Sequence, residues 1–358
     1  MSFEVQAPGR VCLFGEHSDY LGLDVIPAAI DMYIRITAHP GDDDTISIEY
    51  LDTGQKDTFP AAQCIPYKRS RDYVRSAFNV MRRNGMSPKH GWHLEIEGNI
   101  PIAAGLSSSS ALTTAAVLAV ARMSEEEIGK DRLAELAFFA EVAEFKESGG
   151  RMDHYASAYG GLIHLAFDEK LKVTQIPAEP EGFVIGDSMQ RKQDTVGDLR
   201  SIRETVESEY ERFKRQMPEF DLKHTPVNQI EELSRNTADK ARTMAITTLR
   251  NRDLTKRALG VLNGPKVDAG DLGDLINEHH KYLRDGLGRS TPKIEKLIAR
   301  SLDAGALGCK INGSGGGGTM LAYAPKAQEE VAKAIQDAGG APYIVRIGKG
   351  AAFMELDR

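Results

Sequence analysis

The segment at positions 101–112, PIAAGLSSSSAL, constrains the fold of this chain more than any other. It follows a strand-like stretch, residues 93–97, and leads into small residues at 111–121 that predict a buried helix packed closely on a sheet. A strand, a glycine turn and hydroxyl groups in the first turn of a helix together predict a phosphate site, because unpaired N–H groups and the positive helix end face the anion. The alternative is a serine cap with polar filler, but four consecutive serines exceed what a cap requires. The candidate phosphate-binding residues are Gly105, Leu106, Ser107, Ser108, Ser109 and Ser110.

Size and charge limit the class of protein. A chain of 358 residues is expected to form two packed domains. Its formal net charge of −7 argues against nucleic acid or an anionic membrane as the main partner. We find neither a signal-peptide pattern nor a run of about 18 apolar residues that would span a bilayer. The three cysteines, Cys12, Cys64 and Cys309, are far apart, so we expect free thiols in the reducing cytoplasm.

The order of predicted elements indicates an α+β fold. Strand-like alternation runs through much of residues 3–51, a helix is predicted at 131–148 with Asp131 as its N-cap, and a long amphipathic helix at 196–217. The C-terminal part predicts strand, glycine loop, strand, helix and strand over residues 306–347. We place a boundary near residue 185, which gives domains 1–185 and 186–358. No linker rich in proline or serine separates them, so a large interface is expected.

Residues 7–30, APGRVCLFGEHSDYLGLDVIPAAI, form a second segment of interest. Polar side chains set on glycine turns suit a polyhydroxylated ligand, because they both donate and accept hydrogen bonds. A surface hairpin explains this segment alone about as well. Zinc is a poor alternative, because no HExxH or Cys/His pairing accompanies the histidine. The candidate residues are Arg10, Glu16, His17, Asp19 and Tyr20.

A third segment, KINGSGGGG at positions 310–318, lies between two predicted strands. Its glycines allow backbone N–H groups to converge on an anion or on the first loop, and Gly315 is the candidate anion-binding residue. A flexible hairpin is the alternative.

In this order, the three segments resemble the motifs of the GHMP kinases, the superfamily of galactokinase, homoserine kinase, mevalonate kinase and phosphomevalonate kinase. The resemblance implies a two-domain architecture, with a left-handed βαβ crossover in the N-terminal domain and a ferredoxin-like C-terminal domain. It also implies a site for ATP and Mg²⁺ between the domains.

Within the superfamily, residues 7–30 are most similar to the galactokinase signature PGRVNLIGEHTDYNGG, with Cys12 for asparagine and Ser18 for threonine. Residues 150–154, GRMDH, resemble that family's GIMDQ, and residues 278–285, EHHKYLRD, resemble its ESHxSLRD. This similarity implies an ATP-dependent sugar 1-kinase, a galactokinase or close relative that phosphorylates the anomeric C1 hydroxyl group.

The resemblance also implies roles for single residues. Asp153 matches the catalytic aspartate that takes the proton of the sugar hydroxyl, and Arg10 matches the arginine beside that hydroxyl. A helix N-cap is the alternative interpretation of Asp153. Glu16, His17, Asp19 and Gly150 match positions that hydrogen-bond the sugar, and Tyr20 is expected to line the same pocket.

Ser109 and Glu141 match the residues that bind Mg²⁺, which takes few protein oxygens. Glu144 is the rival of Glu141. The helical neighbours of Glu141 are mostly apolar, where a solvated glutamate is not expected, whereas those of Glu144 are more polar. We therefore favour Glu141.

Some positions depart from the galactokinase pattern. Residues 186–195 do not fit the stretch that forms part of the sugar pocket, and Arg151 and His154 replace isoleucine and glutamine. The sequence therefore does not identify which sugar is phosphorylated. L-arabinose is one alternative, and a uronic acid is another if Arg151, Arg191 or Lys192 supplies a cation. A non-catalytic sugar sensor and a mevalonate- or homoserine-type kinase are further alternatives. We interpret Lys281, His279, Lys310 and the helix at 196–217 as solvated faces, except that Lys310 is a candidate to assist the nucleotide.

Overall fold

The computed structural model describes residues 1–61, 63–191, 195–235 and 239–356. The first half of the chain contains strands β1 (Phe3–Phe14), β2 (Ile26–Pro40), β3 (Thr45–Tyr50), β4 (Gln55–Pro60), β5 (Trp92–Gly98), β6 (Leu162–Phe167) and β7 (Leu171–Ile176). Its α-helices are α1 (Tyr73–Arg83), α2 (Ser108–Met123), α3 (Lys130–Phe138) and α4 (Met152–Tyr159). A 3₁₀ turn at Asp19–Leu21 and a π-helical turn at Phe139–Ala143 complete this half.

The second half begins with strand β8 (Phe183–Asp187). A helical region follows, formed by α5 (Thr195–Gln216), α6 (Val227–Leu233), α7 (Lys240–Leu262), α8 (Ala269–Lys281) and α9 (Pro292–Asp303), with a π-helical turn at Tyr282–Gly286. The chain ends with β9 (Gly308–Ile311), β10 (Thr319–Tyr323), α10 (Gln328–Asp337), β11 (Ala341–Val345) and β12 (Ala352–Glu355).

The first sheet has the strand order β12-β1-β2-β5-β3-β4, and the β6–β7 hairpin pairs with β2. In β2, Ile34, Ile36 and Ala38 are buried while the residues between them are partly exposed, as the two-residue period of a strand requires. Helix α2 packs on β1 and β2, and its small side chains such as Ala115 and Ala119 are buried, which confirms the predicted close packing. Among the described residues, β3 and β5 form the one parallel pair, joined through β4 and α1. The predicted crossover therefore lies here, and its left-handed sense stays a prediction.

The second sheet is antiparallel, with the order β11-β8-β10-β9. Numbered by their position along the chain, its strands stand in the order 4-1-3-2, and helices connect the first strand to the second and the third to the fourth. This arrangement confirms the ferredoxin-like prediction and the two-domain α+β fold.

The predicted division into residues 1–185 and 186–358 stays a prediction, and the sheets divide the chain differently in two places. Strand β8 begins at Phe183, so the boundary at 185 falls inside a strand of the second sheet. Strand β12 returns to the first sheet, where Phe3 pairs with Glu355. The centres of the Phe3 and Phe353 rings are 5.5 Å apart.

The helix predicted at 131–148 is shorter and less regular than expected. Gly129 occupies the N-cap, and Asp131 lies in the first turn, so the N-cap prediction was wrong. The helix changes from α to π geometry at Phe139, and the π turn ends at Ala143. Such turns insert one residue and often lie at functional sites. Here the turn carries Glu141. Within the described part of the chain, no helix is both long and apolar enough to cross a bilayer.

Candidate active site

A cavity of about 600 Å³ opens between the serine-containing loop, the N-terminal segment, helix α4 and the glycine loop. Its lining includes most of the predicted site residues: Arg10, Glu16, His17, Asp19, Tyr20, Gly105, Ser107, Ser108, Ser109, Ser110, Glu141, Gly150 and Asp153. Leu106 and Gly315 do not line it. Leu106 is buried at 1% exposure, and its carbonyl accepts the Arg10 N–H. Gly315 lies against Arg289, whose Nε donates to the Ser314 carbonyl. Of the glycine loop, Gly313 and Ser314 reach the cavity instead.

Asp153 and Arg10 form a bidentate salt bridge in the cavity. Arg10 Nε donates to Asp153 Oδ1 at 2.7 Å and Nη2 donates to Oδ2 at 2.9 Å, and Ser107 Oγ donates to Oδ2 at 2.6 Å. Two parallel charge-assisted bonds fix the plane of a carboxylate. Burial lowers the pKa of Arg10, but the charges of Asp153 and Glu16 raise it above its usual value. Arg151 occupies the N-cap of α4, so Asp153 lies in the first turn and is not the cap.

Asp19 lies beside Gly150 and the start of helix α4. Its Oδ2 accepts the Met152 N–H at 3.1 Å, and a Cβ at position 150 would overlap the Asp19 carboxylate. Burial and the negative charge of Asp153 raise the pKa of Asp19 to about 6. Because Gly150 has no side chain, the Asp19 carboxylate can lie against the backbone at this position.

His17 and Tyr20 come together through the turn at the end of β1. Gly15 has φ +83° and no room for a Cβ against the Asp24 carbonyl, and His17 also lies in the left-handed region with φ 64°. The turn brings His17 Nδ1 within 2.9 Å of the Tyr20 hydroxyl. Both rings are buried, with His17 5% and Tyr20 8% exposed.

Glu16 has a different environment from the one expected for a sugar-binding residue. Its Oε2 accepts from Lys310 Nζ at 3.0 Å and from the Gly313 N–H at 2.9 Å. Burial alone would raise the pKa of Glu16, but Lys310 and Arg10 lower it to about 2. Glu16 thus joins the N-terminal segment to the glycine loop while it lines the cavity.

The interpretation of Lys310 and His279 as solvated residues was wrong, because both side chains are completely buried. Lys310 Nζ forms an ion pair with Glu16 and donates to the Cys12 carbonyl at 2.7 Å. His279 Nδ1 lies 2.9 Å from the Leu13 carbonyl, and burial and Lys310 lower the pKa of His279 to about 3. Lys281 is exposed, as predicted. Helix α5 is amphipathic, with Ile202, Val206 and Phe213 buried.

The proposed metal ligands both line the cavity. Glu141 is 7% exposed, and its Oε2 lies 2.7 Å from Nε2 of the buried His154. Its Oε1 makes no hydrogen bond to the part of the chain that the structure describes. Glu144 instead accepts from the Tyr67 hydroxyl at 2.5 Å, pairs with Arg83 and does not line the cavity. Ser109 and Glu141 thus fit the few protein oxygens that Mg²⁺ takes.

Two of the cations considered for a uronic acid, Arg151 and Arg191, do not line the cavity. The Arg151 guanidinium stacks 4.3 Å from the centre of the Phe138 ring, and Arg191 is exposed. Lys192 lies outside the described residues. The segment after β8 packs on the glycine loop, because Ser188 Oγ donates to the Gly318 carbonyl at 2.6 Å.

Sequence reasoning missed several residues of the site. Leu199 of α5 lines the cavity. Lys310 was not assigned to the buried contacts described above, and Asn312 was not considered. Asn312 is completely buried and bonds to both Cys12 and Gly105. For Lys310 and Asn312, the one signal in the sequence was their position just before the glycine run.

Comparison with known proteins identifies three matching families. Residues 72–161 match the GHMP kinases N terminal domain, residues 265–341 the GHMP kinases C terminal domain, and residues 2–40 the galactokinase galactose-binding signature. Mevalonate kinase of Pyrococcus furiosus is 31% identical over 98% of this chain and 97% of its own length. Galactokinase of Mannheimia succiniciproducens is 29% identical over 93% of this chain and 88% of its own length.

Solved structures share the fold. Lactococcus lactis galactokinase complexed with galactose gives a TM-score of 0.86 at 20% identity, covering 98% of this chain and 95% of its own. Methanococcus jannaschii mevalonate kinase gives 0.74 at 20% identity, covering 97% and 98%.

Proposed function

Because the chain belongs to the GHMP kinase family, we propose that it is an ATP-dependent sugar kinase that phosphorylates the anomeric C1 hydroxyl group of a monosaccharide, galactose or a close relative such as L-arabinose. The observation that carries the proposal is the pairing of Arg10 with Asp153 in the same cavity as Asp19, His17 and Tyr20. The match of residues 2–40 to the galactose-binding signature supports it.

In the proposed reaction Asp153 accepts the proton of the sugar hydroxyl while the sugar oxygen attacks the γ-phosphorus of ATP. The bond from that phosphorus to the bridging oxygen breaks, and ADP leaves. Arg10 stabilises the developing negative charge on the sugar oxygen. Ser107 has a left-handed backbone, φ 61°, where helix α2 begins, so that Ser108, Ser109 and Ser110 present the first N–H groups of the helix to the phosphates.

Ser109 and Glu141 would hold Mg²⁺, which neutralises phosphate charge when it is bound. His154 keeps the Glu141 carboxylate in place through the bond at 2.7 Å.

The charges of the cavity favour a neutral acceptor. Asp19, Asp153 and Glu141 bring carboxylates to its wall, and the Arg10 cation is already paired with Asp153. Arg71, a second cation in the lining, pairs with Glu147 at 2.7 Å. A substrate carboxylate would be repelled, whereas sugar hydroxyl groups can donate to Asp19 and accept from His17 or Tyr20. The cavity therefore favours a neutral sugar over a uronic acid.

A mevalonate-type kinase is the second candidate. Its support is the identity of 31% with the Pyrococcus furiosus mevalonate kinase over nearly the whole chain. Mevalonate carries a carboxylate, so the same charges disfavour it. A non-catalytic sensor is the third candidate, and the presence of Asp153, Arg10 and the serine loop argues against it.

Coupled detection of ADP separates the three candidates. The wild-type protein, ATP and Mg²⁺ are supplied in turn with D-galactose, L-arabinose, D-galacturonate and (R)-mevalonate. We expect turnover with a neutral sugar. Turnover with mevalonate alone would establish the second candidate, and sugar binding with no turnover would establish the sensor.

A further inference from the structure

Asn312 joins three segments through one buried side chain. It follows β9 and is completely buried. Its Oδ1 accepts the Cys12 N–H of β1 at 3.0 Å, and its Nδ2 donates to the Gly105 carbonyl at 2.9 Å. One side chain after the second strand of the ferredoxin-like sheet therefore connects the N-terminal segment to the serine-containing loop.

The Gly105 carbonyl receives a second hydrogen bond, from Arg10 Nη1 at 2.8 Å. The next carbonyl, that of Leu106, accepts the Arg10 N–H at 3.1 Å. Two successive carbonyl groups of the loop are thus held by Arg10 and Asn312. The serine N–H groups that begin helix α2 follow directly after them.

The loop needs such external bonds, because its backbone conformation is unfavourable by itself. Ala103 has φ 58° and Ser107 has φ 61°, the left-handed region that non-glycine residues rarely occupy. A strained conformation persists only where the surroundings enforce it. The bonds to the Gly105 and Leu106 carbonyls are such an enforcement.

We propose that Asn312 is a positioning residue for nucleotide binding, which acts by holding the Gly105 carbonyl so that the first turn of α2 faces the phosphates. The inference rests on the nucleotide role proposed above for the serine loop. It is independent of which acceptor the enzyme phosphorylates.

The chain offers a matched control in Asn277. Its side chain makes the same kind of bridge, donating to the Leu307 carbonyl at 2.9 Å and accepting the Cys309 N–H at 2.9 Å. Asn277 lies on α8 and does not line the cavity. Replacement by alanine therefore removes equal hydrogen bonding in both variants, but only Asn312→Ala releases the loop.

The test is calorimetric titration of ADP and of a non-hydrolysable ATP analogue into wild type, Asn312→Ala and Asn277→Ala, with Mg²⁺ and without a sugar. We expect Asn312→Ala to raise both dissociation constants at least tenfold and Asn277→Ala to stay within twofold of wild type. Both variants should lower the melting temperature. Asn312→Ser, whose side chain is too short to bridge Cys12 and Gly105, should reproduce the loss.

Binding by Asn312→Ala within twofold of wild type would overturn the proposal, and so would an equal loss in Asn277→Ala. In the wild-type protein, ADP should slow hydrogen exchange of the Cys12 amide that Asn312 holds, and unchanged exchange would contradict the role. Failure of wild type to bind ADP would instead contradict the nucleotide role of the loop.

Discussion

The Asp19 carboxylate occupies the space that a side chain on Gly150 would need. The contact joins the N-terminal segment to the residue three positions before Asp153, and Asp19 also accepts the Met152 N–H at 3.1 Å. The position of Asp19 in the proposed sugar pocket is therefore coupled to the start of the helix that carries Asp153.

Gly150→Ala should displace the Asp19 carboxylate and raise KM for the sugar by about tenfold or more, on the order of 1.4 kcal/mol or above. The dissociation constant of ADP should change little, because the serine loop is not touched. Steady-state kinetics and ADP titration measure the two quantities.

Gly149→Ala is the control for this change. Its Cβ would meet Val142 Cγ2 at 3.4 Å, an ordinary contact. A sugar KM near wild type for Gly149→Ala, with a raised KM for Gly150→Ala, is the expected pair of results. An unchanged KM in Gly150→Ala would count against the placement of Asp19 in the pocket.

Asp153→Asn should lower kcat by about 10²- to 10⁴-fold, because it removes the proton acceptor while keeping an oxygen for Arg10. ADP and sugar should still bind, which titration calorimetry can measure in the same preparation. A kcat near that of wild type would refute the assignment of Asp153 as the base.

Asp19→Asn gives a prediction about stability and pH. The pKa of Asp19 is about 6 in the folded state and near its ordinary value of 3.8 in the unfolded state. Because the folded pKa is raised, the contribution of Asp19 to stability is present below the unfolded pKa and is lost as pH rises through 6. Asparagine does not titrate, so the variant has no corresponding loss of stability over this pH range.

The free energy of unfolding of Asp19→Asn relative to wild type should therefore increase between pH 4.5 and 7.5. The increase should be on the order of 1 kcal/mol after solvent screening. Urea unfolding at several pH values measures it. Asp57→Asn is the control, because hydrogen bonds from Arg75 and Lys68 outweigh burial and lower the pKa of Asp57, and neither cation changes charge in this pH range. Its difference from wild type should be constant above pH 5; a constant difference for Asp19→Asn would contradict the raised pKa.

Glu141→Gln should raise the Mg²⁺ concentration needed for half-maximal activity by about tenfold or more, because a carboxylate ligand becomes an amide. Glu144→Gln should leave that concentration unchanged, because Glu144 bonds to Tyr67 and Arg83 outside the cavity. Binding of Mn²⁺ in the presence of ADP, followed by electron paramagnetic resonance, gives a readout that does not depend on turnover. Equal effects in the two variants would remove the distinction between them.

Much of the fold could be predicted because local patterns determine it. The small residues of α2, the alternation in β2 and the amphipathic face of α5 each follow from the chemistry of neighbouring residues. The change from α to π geometry at Phe139 has no such pattern, because it depends on how the helix packs against others.

The buried polar contacts could not be predicted, because their partners are distant in sequence. In the sequence, Lys310 resembles a solvated strand residue, because its charge partner Glu16 lies 294 positions earlier. His154 and Glu141 meet from two different helical segments. The resemblance to galactokinases placed Arg10 and Asp153 at a shared site, and their pairing at 2.7 Å adds the geometry.

The position of the new phosphate is the direct test of the proposed sugar 1-kinase activity. Wild-type protein is incubated with ATP, Mg²⁺ and the neutral sugar that gives the highest turnover, and the product is examined by ³¹P and ¹H nuclear magnetic resonance. We expect a sugar 1-phosphate, in which phosphorus couples to the anomeric proton. A phosphate on any other hydroxyl group, or turnover with mevalonate and with no sugar, would contradict it.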